Sequence, residues 1–137
     1  MADFADRKTL SLDGARKAAQ AAEAEAKKQS LTVSIAVLDE GGHLLHFSRM
    51  DGTGLASAAV AQAKARAAAL FKRPTKFWED AYASGKTHLG LLPGVLPVEG
   101  GLPILSGGAV VGAIGVSGAS SVQDGQIAAA GAAVLGK

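Results

Sequence analysis

A chain of 137 residues suits one domain, 1–137, able to bury about two thirds of its unfolded surface. Hydrophobic residues reach 48% but aromatics only 4%, so the core must be assembled from many small side chains in close contact, and self-association would add buried area. The absence of cysteine excludes disulfides and thiolate metal sites, and a net charge of +2, with basic residues gathered only at Lys64, Arg66, Lys72, Arg73 and Lys76, argues against a nucleic-acid partner.

The first ten residues read as a loose arm without the apolar core of a signal peptide, and no run is long enough to span a bilayer; a cytoplasmic protein with no membrane partner is expected. Ser11 is a natural N-cap, and Leu12, Ala15, Ala18, Ala19, Ala22 and Ala26 form one stripe, which predicts an amphipathic helix over 11–29. Two extended runs, 32–38 and 43–49, flank Asp39-Glu-Gly-Gly and predict a hairpin. Regular alternation sets His43, Leu45, Phe47 and Arg49 on one face and Leu44, His46 and Ser48 on the other. His43 and His46 therefore cannot share an ion, and no metal site is expected. A second helix is predicted over 57–72, stopped before Pro74, and a third after Thr75, which is placed to cap it. Phe77, Trp78 and Tyr82 on that short helix either pin it to the core or a neighbouring subunit, or stack on a ligand. Residues 86–97 carry His88 and two prolines without periodicity, and read as an apolar loop that lines a pocket or is covered, with a short strand near 95–98.

Residues 99–118 dominate the reading. Two apolar runs, 102–106 and 109–117, are split by Gly107-Gly108, the signature of a two-residue hairpin turn. Val110, Gly112, Ile114 and Val116 would share one face and Val111, Ala113, Gly115 and Ser117 the other; neither is polar, so this hairpin belongs at the centre of a sheet. Glycine at 112, 115 and 118 implies that a helix or a ligand approaches the backbone closely. A last helix is expected over 127–135, with Ser121 and Asp124 at capping-box spacing. The expected fold is α+β, a central antiparallel sheet of about five strands with helices on its faces.

Dinucleotide, phosphate-loop, His-Glu-x-x-His and Gly-x-Ser-x-Gly motifs are all missing. What remains is a glycine-lined backbone patch after Glu99, on which Arg49, Asp51, Lys64 and His88 could converge through the fold. Glu99 would move protons, the Gly100 and Gly101 amides would stabilise developing negative charge, and Arg49 would grip a carboxylate in a two-pronged way. Arg49 beside the Asp51-Gly turn is equally suited to a structural ion pair.

Val37-Leu-Asp-Glu-Gly-Gly-His-Leu, Arg49-Met-Asp-Gly, Ala63-Lys-Ala, Phe71-Lys-Arg-Pro-Thr, Glu99-Gly-Gly-Leu-Pro-Ile and Gly112-Ala-Ile-Gly-Val-Ser-Gly, in this order, resemble the successive blocks of the GlcG/HbpS-like family of haem-degrading and haem-binding domains, also found at the C-terminus of some corrinoid adenosyltransferases. The resemblance covers nearly the whole chain from residue 10. It implies a profilin-like sheet and a homo-oligomer, with an octamer as a candidate state, and it adds Asp124 as a site residue. Three readings of function stand, the first two implied by the resemblance and the third by the small Gly and Ala surfaces. The first is an accessory enzyme binding a small organic acid or aromatic-catabolism metabolite. The second is a haem-binding module, for which haem is the candidate cofactor and His43, His46, His88, Met50 and Tyr82 the candidate axial ligands. The third is a structural oligomer without catalysis.

Overall fold

The structure is a computed structural model that describes residues 2–135. The Ser11 hydroxyl accepts the Gly14 amide at 3.0 Å and starts helix α1 (Leu12–Lys28), whose Ala15, Ala18, Ala19, Ala22 and Ala26 are buried. The arm is tied down at its end, where the Leu10 amide donates to the Val111 carbonyl (2.9 Å) and the Leu10 side chain packs into the core.

Strands β1 (Ser34–Asp39), β2 (Leu44–Arg49), β3 (Gly101–Ser106) and β4 (Ala109–Ser117) form one antiparallel sheet in the order β2-β1-β4-β3. Four strands stand where about five were expected. The segment near 95–98 forms no strand, since Pro97 removes a ladder donor and the nearby Gly94 turns the chain at φ 89°. Residues 87–91 of the expected loop make one 3₁₀ turn (Thr87–Leu91).

One helix layer lies on each face. On the first, α1 and α4 (Ser121–Ala133) cover Val33, Ile35, Val37, Ile104, Ile114 and Val116. On the second, α2 (Ser57–Phe71) lies against Ala36, Leu38, Ala113 and Gly115. Helix α3 (Lys76–Ala83) follows, with Trp78 buried edge-on against Phe71 at 5.1 Å. The expected alternation fails at two points. The register slips between Val37 and Leu38 and between Ile104 and Leu105, so Leu45 and Val111 are extra residues in their strands. Each bulge carries its side chain to the α1/α4 core, the face opposite to the one simple parity assigns.

Candidate functional site

Helix α2 comes so close to the sheet that no β-carbon fits at two strand positions, Gly115 and Gly101. A Cβ on Gly115 would lie under 3.0 Å from the Ala61 and Ala65 backbone, and one on Gly101 under 3.0 Å from the Lys64 carbonyl group. This approach, a helix and not a ligand, accounts for glycine at 115 and 101.

It also sends the Lys64 side chain past Gly100, which has φ 135° and no room for a Cβ beside Lys64 Nζ. Lys64 is 1% exposed; its Nζ donates to the Val116 carbonyl at 2.9 Å and to Asp124 Oδ2 at 3.0 Å. The second oxygen of Asp124 accepts the Ala119 amide at 2.9 Å. Burial pushes the Asp124 carboxyl up from its ordinary range, against the pull of the Ala119 amide and of Lys64. Asp124 is thus no part of a capping box. The box is formed one residue earlier, with Ser120 accepting the Gln123 amide and Gln123 accepting the Ser120 amide.

Glu99 is half-buried at the same end of the sheet. Its amide donates to Glu79 Oε1 at 3.1 Å, and its carboxylate lies over α4, where a Cβ on Gly125 would come 2.5 Å from Oε2. The Gly101 amide is not free for a developing anion, because it donates to Thr75 Oγ1 at 2.9 Å. Thr75 stands at the N-cap position of α3 without capping it; its hydroxyl is committed to β3. Thr75 and Glu79 are the members of this cluster that sequence reasoning missed, and only their place just after a proline-terminated helix hinted at them.

Within one chain, Arg49 and Asp51 do not join this cluster. Arg49 pairs with Ser34 and Ser34 with Ser117, while Gly101 pairs with Gly115. Arg49 and Glu99 are therefore at the same end of the sheet but on opposite edges, about 14 Å apart at three strand spacings. Arg49 is exposed and, among the described residues, makes no ion pair. With Asp51, Met50, Thr32, Lys27 and Glu23 it lines a hollow of about 400 Å³.

His88 lies in a third place, a surface cleft of about 430 Å³ shared with Tyr82, Thr87, Gly90, Leu91 and Pro97. Of the other candidate axial ligands, Met50 turns its sulfur to the Val33 amide at 3.4 Å, His46 lies in a smaller hollow of about 230 Å³ beside Glu23, and His43 sits exposed after the β1–β2 turn. Among the described residues no three His, Cys, Asp or Glu side chains gather to hold a metal ion, and no helix is long and apolar enough to cross a membrane.

Residues 10–133 match the family model described as haem degrading protein HbpS-like. The chain is 45% identical to Protein GlcG of Escherichia coli K12 over 97 residues, 71% of this chain and 72% of that protein. Its fold superposes on a double mutant of HbpS from Streptomyces reticuli with a TM-score of 0.91 and 40% identity, covering 100% of this chain and 94% of that one. A crystal structure of a PduOC:heme complex gives a TM-score of 0.84 at 27% identity, covering 93% and 95%.

Proposed function

Starting from the fact that the chain belongs to the HbpS-like family of haem-degrading proteins, we propose that it is a small-molecule-binding protein whose ligand is haem, taken up at the cleft between Tyr82 and His88. The observation that carries this reading is the meeting of an imidazole and a phenol on an apolar-walled hollow of about 430 Å³. The donor set fits: haem iron accepts nitrogen or phenolate ligands, and Leu91 and Pro97 offer the macrocycle an apolar wall. Bound haem supplies a redox-active iron. His88 would hold it, and Tyr82 would border the ring or serve as the second donor. The cleft is shallow, and Leu91 on its wall is 85% exposed. A second copy of the chain would cover such a surface, so the homo-oligomer belongs to the same proposal. Haem titration should give a sharp Soret band that shifts or collapses in His88→Ala, with Tyr82→Phe as the weaker variant. A band identical in wild type and both variants would overturn this cleft as the site.

The hollow at Arg49 supports a second reading, the binding of a small organic acid. Its guanidinium is solvent-facing and free of carboxylates within ion-pair distance, whereas Lys27 alongside is paired with Glu23 at 3.2 Å, so Arg49 is the cation left to bind an acid. A panel of hydroxy acids and dicarboxylates should raise the melting temperature of wild type more than that of Arg49→Ala; equal shifts would remove Arg49 as the clamp. If Glu99 acts on the same ligand, the strand order requires that it come from another copy.

A further inference from the structure

A hollow of about 540 Å³ has no part in either reading. It lies at the turn end of the sheet, where the N-terminal arm passes the β3–β4 hairpin, and it receives Arg7 and Lys8 from the arm, Lys72 from the end of α2, and Asp6 and Glu40 on the acidic side. This volume is in the range of small-molecule sites.

Its charges are arranged as a site would need them. None of the ion pairs formed among the described residues involves Arg7, Lys8 or Lys72, although two carboxylates border the same hollow. Thr9 donates its hydroxyl to Glu40 Oε1 at 2.8 Å, which ties that carboxylate to the arm. Three cations against two carboxylates leave a small positive excess at the hollow, which raises the local concentration of anions. A separate observation concerns Lys72. It ends α2 with φ 57°, the left-handed conformation that glycine takes at little cost and a lysine does not. Lys72 thus lines the hollow from a backbone conformation in which glycine would be the less costly residue.

We propose that this hollow is a binding site for a small oxyanion, a phosphate group or a dicarboxylate, held by Arg7, Lys8 and Lys72 with the arm as its outer wall. Asp6 and Glu40 limit the positive excess to one charge, which suits an anion of a few atoms and excludes a polyanion. The hollow shares no lining residue with the His88 cleft or with the Arg49 hollow, so its fate is independent of theirs.

Lys72→Gly is the discriminating variant, because glycine keeps the left-handed end of α2 and leaves the fold intact while removing the charge. Calorimetric titration at low ionic strength would use inorganic phosphate and malonate as separate probes, with sodium chloride at matched ionic strength as the control. At least one probe should bind wild type, and Lys72→Gly and Arg7→Gln should each weaken it about tenfold or more without lowering the melting temperature. The probe that binds tells the phosphate from the dicarboxylate reading. Equal titration of wild type and both variants, heats that chloride reproduces, or no binding of either probe to wild type would overturn the site.

Discussion

The two faces of the sheet are built on different physics. The α1/α4 face buries Val33, Ile35, Val37, Ile104, Ile114, Val116 and Ile127, branched side chains whose removal from water is the stabilising term. The α2 face offers only alanines with Leu38 and a half-buried Phe47, and holds its helix by backbone proximity through Gly101 and Gly115 and by the Lys64–Asp124 pair. A protein with few aromatics can fill one layer with volume and close the other by removing it. The first layer tolerates lost methylenes, and the second tolerates almost nothing added.

Three measurements sharpen this contrast. The largest effect is expected at the ion pair: Lys64→Ala should cost about 3–5 kcal/mol in urea unfolding, because it strands a buried carboxylate and the Val116 carbonyl, whereas Lys64→Met with Asp124→Leu should recover most of the loss. A single variant as stable as wild type would show that the pair is not closing this layer. Next, Gly115→Ala should cost about 3 kcal/mol although it adds one methyl, against about 1 kcal/mol for Ile114→Val, which deletes one on the opposite face. Comparable losses from the two would erase the distinction between the faces. The smallest effect concerns pH. The folded Asp124 holds its proton to higher pH than the unfolded chain does, so in the range above 3.8 the folded state binds more protons and the carboxyl's contribution falls as pH rises through its folded-state value. Wild type should therefore lose stability relative to the charge-free double variant across that range, and a flat difference would contradict the upward shift.

The same contrast explains what could be read from the chain directly. Helix α1 was legible from Ser11 and the alanine stripe, and the β3–β4 hairpin from Gly107-Gly108, because these are local signals of capping and turn chemistry. The family blocks were legible too, as motifs in order. The bulges at Leu45 and Val111 were not, since one extra residue reverses the facing of a side chain without changing the pattern of residue types. The capping box fell one residue early because adjacent serines compete for the cap, and the choice is made at long range by Lys64, 60 positions away. The expected convergence of Arg49 on Glu99 fails within one chain because the two lie on opposite edges of the sheet, and strand order depends on which hairpins pair and not on the composition of either. Thr75 reads as a cap for the same reason: the strand it serves lies 26 positions further along.

The Lys64 side chain links α2, on one side of the sheet, to α4, on the other, around the end of β4. The two outer layers are therefore latched to each other as well as to the strands between them. Neither can peel away alone without leaving a charge stranded in a dry interior, so amide hydrogens in the middle turns of both helices should exchange at a single shared rate, as one cooperative unit.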